Sequence, residues 1–298
     1  MLNPRIPSRQ SPASRTSRAH HTPRGIRFAL AAVTACVAAI PLVLAATPAS
    51  ASSVNYVALG DSYASGLGAG NYSGGSCDRS ANAAAQLWAN AHSPASFAFV
   101  ACSGATTSDV INNQISALNS STTLVSLTIG GNDVGFESVM ITCVLGSDSD
   151  CVNAINNAEA QARSQLPGSL NTLFNDISAR APGARVVVTG YPEFYDLSRS
   201  SGCIGLSGTK RQAIDGGADV LDSVISGAVA GHANFVYAEV RSAFSGHELC
   251  DSTEWLHSVD WLNLGDSYHP TASGQSGGYY PVLNANLYRP RRTPPASR

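Results

Sequence analysis

Three short stretches of this chain carry side chains whose types suit one reaction. The first is Gly60-Asp61-Ser62-Tyr63, directly after an apolar run from Tyr56 to Leu59. A serine there sits on the turn just past the carboxyl end of a short buried strand, where open α/β sheets bind ligands. The second is Gly130-Gly131-Asn132-Asp133, and the third is Asp266-Ser267-Tyr268-His269-Pro270. A serine nucleophile needs a base. Of the seven histidines, His20 and His21 lie in an N-terminal leader, and His92, His232, His247 and His257 read as ordinary surface or core residues. His269 differs, because Asp266 precedes it by three residues and Pro270 stiffens the loop behind it. In a turn, that spacing lets a carboxylate reach the imidazole and hold its tautomer. Asn132 follows two glycines at a strand end, where a side-chain amide can donate to a developing oxyanion. Gly104 offers its N–H at the end of another strand, and a helix starting after Ser62 adds free N–H groups. Taken singly, each piece is also what an ordinary turn contains.

The elements between these stretches alternate. Strands are expected at Tyr56–Leu59, Phe97–Ala101, Thr123–Ile129, Arg185–Thr189 and Asn234–Val240. Helices are expected over Ser80–His92, after a cap at Ser108 or Asp109, over Ala154–Ala179 with a break near Pro167-Gly168, over Gly208–Ala230, and from Thr271 onward. Strands that alternate with helices imply a parallel sheet covered on both faces, with right-handed connections. Each polar loop named above follows a strand, so all of them can share one edge of that sheet.

The chain has 298 residues, of which 44% are hydrophobic and 13% charged, a globular composition that suits one α/β domain. Six arginines (Arg5 to Arg27) precede an apolar run from Phe28 to Ala46 and then Ala49-Ser50-Ala51. That is the order of a secretory signal, and residues 1–51 are read as one. A single membrane anchor is disfavoured, because Pro41 interrupts the run. Lipid attachment at Cys36 is disfavoured too, because little apolar sequence precedes it. Beyond the leader stand 12 basic and 20 acidic residues, a net of −8. That argues against nucleic acid or an anionic membrane as the main partner. Six cysteines remain after Cys36, an even number that suits disulfides in a secreted chain. Fifteen connectivities are open; sequential pairing, Cys77–Cys102, Cys143–Cys151 and Cys203–Cys250, closes the shortest loops. No C-x-x-C pair is present, which argues against a zinc or redox site. Residues 289–298, with three prolines and four arginines, read as a disordered tail.

Jointly the stretches resemble the SGNH hydrolases, also called GDSL lipases and esterases. Gly60-Asp61-Ser62-Tyr63 is similar to the first block of that family, Gly104 in Cys-Ser-Gly-Ala to the second, Gly130-Gly131-Asn132-Asp133 to the third, and Asp266-Ser267-Tyr268-His269-Pro270 to the last. The blocks keep the family's order and cover nearly the whole mature chain. The resemblance extends to the secreted bacterial lipase branch, with its leader, its six sequentially paired cysteines and its Ser-Tyr-His-Pro setting. It implies a flavodoxin-like three-layer α/β/α fold with a parallel five-stranded sheet over residues 52–288. It also implies Ser62 as nucleophile, His269 as base, and an oxyanion hole of the Ser62 and Gly104 N–H groups with the Asn132 amide. Asp266 matches the usual acid position; the Ser267 carbonyl is the competitor, since some members orient the histidine through a backbone carbonyl.

The expected activity is a metal-independent, cofactor-free serine carboxylester hydrolase acting as a monomer on lipid esters. Leu67, Phe136, Val139, Met140, Trp255, Trp261 and Leu264 are available to line a shallow acyl groove. Neutral glycerides and fatty-acyl esters fit the acidic mature chain best. Phospholipase A1, polysaccharide acetyl esterase and a catalytically dead binding protein are the alternatives.

Overall fold

Strand β1 (Asn55–Gly60) is buried along nearly its whole length, as are β3 (Leu124–Thr128) and β4 (Arg185–Thr189). Successive side chains of a strand point to opposite faces, so a strand buried at every position is covered on both. Their runs of Val, Leu and Ala follow from that. The edge strands β2 (Ser96–Phe99) and β5 (Phe235–Ala238) are more exposed. All five strands pair in parallel, in the order β2-β1-β3-β4-β5. The order reverses at β1, so the crevice beyond the carboxyl ends of β1 and β3 is the topological switch point. Register puts Val125 beside both Val57 and Val186, and Gly60 beside Thr128.

The computed structural model describes residues 54–73, 75–199, 203, 205–260 and 264–287. The expected leader, 1–51, and the expected tail, 289–298, lie outside the described residues. The helices are α1 (Ser62–Ser65), α2 (Ala84–His92), α3 (Thr107–Asp109), α4 (Phe136–Leu145), α5 (Asp148–Ser164), α6 (Leu166–Arg180), α7 (Gly208–Val229), α8 (Arg241–Phe244) and α9 (Tyr280–Leu287). One packed set joins α2 and α9, with α9 against β3, β4 and β5; another joins α5, α6 and α7. Fully buried Leu59, Leu127, Leu170, Leu173, Phe174, Ile177 and Ile225 belong to one continuous core. Each such side chain contributes about 1.5–3 kcal/mol by leaving water.

The architecture is the expected one, and the differences are local. The helix after β2 is capped by Thr106, not by Ser108 or Asp109. Thr106 accepts from the Asp109 N–H while the Asp109 carboxylate takes the Thr106 N–H, a capping box in which Asp109 is the third helical residue. The helix expected from Ala154 starts earlier, at Asp148, because Ser147 and Asp150 form a second capping box. Pro167 does not break it. The break is at Gln165, and Pro167 stands in the first turn of α6, where its missing N–H costs nothing. The expected long loop from Arg241 contains α8 and a single turn over Leu264–Asp266. The cysteines pair sequentially as Cys77–Cys102, Cys143–Cys151 and Cys203–Cys250.

Candidate active site

The turn that carries Ser62 is held from several directions. Gly60 has φ +128, and a side chain there would begin 2.4 Å from the Thr128 carbonyl oxygen. Glycine is what lets β1 end so close to β3. The Gln114 side chain accepts from the Gly60 N–H and donates to the Gly60 carbonyl, both at 2.8 Å. Asp61 then caps α1, its Oδ1 accepting from the Tyr63 N–H at 3.0 Å. Its Oδ2 accepts from the Tyr191 hydroxyl, which itself accepts from the Gly131 N–H at 3.0 Å. One buried tyrosine therefore links the turn after β1 to the turn after β3. Burial pushes the Asp61 carboxyl up to about 7, against the opposing hydrogen bonds from Tyr191 and the Tyr63 N–H.

The structure brings His269 to this turn. Its Nε2 lies 2.7 Å from Ser62 Oγ, across 207 positions of sequence, and both residues are buried. Burial lowers the imidazole to about 4, with the Ser267 and Gly265 carbonyls pulling the other way. The ring is therefore neutral at neutral pH and able to accept a proton. Its Nδ1 faces the Ser267 carbonyl at 3.1 Å. With the Nδ1 proton donated there, Nε2 is left to accept the serine hydroxyl.

The Ser267 carbonyl thus stands where the Asp266 carboxylate was expected. Asp266 Oδ1 instead accepts from the Tyr72 hydroxyl at 3.4 Å. The reason is the shape of the loop. The His269 N–H donates to the Asp266 carbonyl at 3.0 Å, and Tyr268 adopts φ +66. That tight turn swings main chain, rather than the Asp266 side chain, under the imidazole.

The expected oxyanion donors converge on the same groove, which Ser62, Gly104, Asn132 and His269 all line. Asn132 Nδ2 donates one proton to the Ala105 carbonyl at 3.0 Å, which fixes the amide and leaves its second proton to point elsewhere. Gly104 has φ +76, and nothing lies within 4 Å of where its side chain would start. Its backbone is therefore open to a ligand. Asp133 accepts from the Thr107 N–H and hydroxyl, tying the turn after β3 to the loop after β2.

The groove has a volume of about 500 Å³. Of the expected lining residues, Leu67, Phe136 and Met140 are in it. Val139 faces a smaller apolar cavity of about 50 Å³ behind Phe136 and Met140. Trp255 packs elsewhere, stacked on His247 and edge-on to Phe244. Trp261 and the Leu264 side chain lie outside what is described. Val144, Val259 and Tyr72 join the lining unforeseen.

Sequence reasoning also missed residues that hold the site without entering it. Tyr63 donates to the Tyr268 carbonyl at 2.7 Å, and its ring centroid lies 4.9 Å from that of His269. The His257 N–H donates to the His269 carbonyl, and its ring meets the Gly68 carbonyl at 2.8 Å. For Tyr191 a signal existed: Gly190-Tyr191-Pro192 closes β4 at the edge where the other site turns lie.

Fold and sequence define the class. Residues 58–276 match the model of the GDSL-like lipase/acylhydrolase family, and the chain belongs to that family. It is a carboxylic ester hydrolase. Among particular relatives, it is 56% identical over 242 residues to Lipase 1 of Streptomyces coelicolor, spanning 80% of this chain and 88% of that one. Among solved structures, it matches a phospholipase A1 from Streptomyces albidoflavus at 56% identity and a TM-score of 0.76, over 78% of this chain and 99% of that one. An extracellular lipase from Streptomyces rimosus matches at 49% identity and a TM-score of 0.75, with the same coverage.

Proposed function

We propose that the protein is a secreted lipase in which Ser62 and His269 carry the reaction. The observation that carries this reading is the 2.7 Å contact between Ser62 Oγ and a buried, neutral His269 at the head of a largely apolar groove. Ser62 Oγ attacks the ester carbonyl carbon while His269 Nε2 takes the hydroxyl proton. The negative charge moves to the carbonyl oxygen, where the N–H groups of Ser62 and Gly104 and the Asn132 amide receive it. The carbon–oxygen bond to the alcohol breaks, and His269 gives the alcohol its proton. Water, deprotonated by His269, then releases the acid and restores Ser62. The Ser267 carbonyl holds the imidazole tautomer, so the unit is a dyad oriented by backbone. No step calls for a metal or cofactor.

The substrate reading is triacylglycerol and fatty-acyl esters, supported by the apolar lining and by relatives named lipase. Phospholipase A1 activity is the second reading, favoured by the 56% identical relative of that name. Secretion is supported by the arginine-rich, apolar, small-residue order of residues 1–51, by three disulfides, and by the extracellular relative. No helix among the described residues is long and apolar enough to cross a membrane.

Ser62→Ala should abolish turnover of p-nitrophenyl esters and labelling by a fluorophosphonate while leaving the circular dichroism spectrum unchanged. Undiminished turnover by that variant ends the proposal. An ester series from acetate to palmitate, run beside a triglyceride emulsion and phosphatidylcholine vesicles, should show hydrolysis of the emulsion. A sharp optimum at acetate with an untouched emulsion would leave an esterase but not a lipase.

A further inference from the structure

Helix α4 has an unusual composition for its position. Phe136, Val139, Met140, Ile141, Cys143, Val144 and Leu145 leave it three polar residues, Glu137, Ser138 and Thr142. A helix apolar on all sides is normally enclosed. This one is enclosed on one side: Met140 and Cys143 are buried, and the Cys143–Cys151 bridge pins that side to α5. Its outer ridge is in water, with Ile141 47% and Leu145 70% exposed. These are two of the four large apolar side chains exposed among the described residues, one helical turn apart at the mouth of the Ser62 groove. The polar residues of the helix do little to keep that face wet. The Ser138 and Thr142 hydroxyls donate to carbonyls of their own turn, Gly135 at 2.8 Å and Ser138 at 2.9 Å.

We infer that the outer ridge of α4 seats the enzyme on the surface of electrically neutral lipid, with Ile141 and Leu145 entering it and the groove opening toward it. The inference gives the lipase reading its working surface and rests on that reading. The charges decide the kind of surface. The charged side chains lining the groove are Asp78, Glu137 and Asp266, all acidic, and Asp148 and Asp150 follow at the start of α5. Lys210, beside the Leu145 end of α4, is buried and its ammonium is taken up by the Gly146 carbonyl. An anionic surface would be repelled; zwitterionic or uncharged lipid would not. Size decides against a protein partner. Two side chains fall far short of the roughly 800 Å² per partner that a stable complex buries, whereas a lipid surface demands no matching shape.

The test measures binding apart from hydrolysis. The Ser62→Ala protein, with and without Ile141→Ser and Leu145→Ser together, is floated with phosphatidylcholine vesicles. The pair of ridge substitutions should weaken binding about tenfold or more, while Leu197→Ser, at an exposed apolar residue that does not line the groove, should not. In the Ser62 protein the same pair should slow hydrolysis of emulsified ester about tenfold more than that of monomeric p-nitrophenyl butyrate. Unchanged flotation would overturn the inference. So would stronger binding on adding phosphatidylglycerol, or a dimer in sedimentation that the pair dissolves. A parallel loss on monomeric ester would also overturn it, since the two side chains would then act inside the groove. A parent protein that binds vesicles but never turns over monomeric ester would sink the hydrolase reading and leave the surface standing.

Discussion

The two halves of the proposed catalytic pair, Ser62 and His269, are held by different means. The Ser62 turn lies between secondary-structure elements only a few residues away: it ends β1, starts α1, and is capped by its own neighbour Asp61. The His269 loop lies between the single turn over Leu264–Asp266 and the helical run that begins at Ala272. It hangs from distant groups, the Tyr63 hydroxyl on the Tyr268 carbonyl and the His257 main chain on both sides of the histidine. Ser62 is thus positioned by the sheet, and His269 by Tyr63, the residue after Ser62, together with the His257 main chain. The Ser62–His269 distance can therefore be set by few residues, and Tyr63, beside Ser62 and under His269, touches both sides.

Tyr191 is the sharpest place to break this arrangement. Tyr191→Phe removes the hydroxyl that joins Asp61 to Gly131 and leaves a buried carboxylate oxygen and a buried N–H without that partner. An unmet buried group costs about 1–3 kcal/mol, so the urea midpoint should fall. Because the hydroxyl ties the nucleophile turn to the Asn132 turn, kcat should fall about tenfold with KM little changed. A drop in stability with kcat intact would show that the bridge serves the fold and not the site.

Acidification separates the two halves by sign. His269 is lowered by burial to about 4, so kcat/KM should hold down to about that pH and then fall tenfold per unit. An acid limb centred near the ordinary histidine value would contradict the buried, neutral base. In stability, the unfolded His269 binds a proton that the folded one refuses between about 6.5 and about 4. Its contribution is complete above that window and is lost as pH falls through it. Asp61 runs the other way. Its carboxyl is raised to about 7, so the folded state binds the extra proton. Its contribution is present below about 4 and is lost as pH rises through about 7. Asp61→Asn should remove that rising-pH loss from a plot of Tm against pH.

The smallest expected effect is at Asp266. With the Ser267 carbonyl at Nδ1, Asp266→Asn should change kcat/KM by about threefold or less. If the carboxylate were the orienting acid, the loss would reach about ten-thousandfold. A steady-state measurement on p-nitrophenyl butyrate decides between them.

Much of the scaffold was legible from short-range pattern. The five strands were readable because continuous apolar runs bounded by glycine and proline mark buried parallel strands. Arg185–Thr189 has the same limits in sequence and structure, while β2, β3 and β5 came out shorter than expected. Ser62 and His269 were readable because turn residues and spacing flagged their settings and the family resemblance tied the blocks together. The Thr106 cap was misplaced by two or three residues, since several consecutive residues can cap and packing selects among them. Trp255 was misassigned for a similar reason: an aromatic in a loop near the site is equally suited to line a groove or to pack on Phe244.

The sequence by itself thus determined the parallel sheet, the strand-end turns and the pair of residues brought together at its edge. Those follow from periodicity, glycine and capping, which act over a few residues. Tertiary structure decided which atom faces His269 Nδ1, that Tyr191 joins the Asp61 and Gly131 turns from 130 and 60 positions away, and that the outer ridge of α4 stays in water at the mouth of the groove. Each of these depends on groups far apart in the chain meeting within hydrogen-bond or van der Waals distance, and no local pattern encodes that meeting.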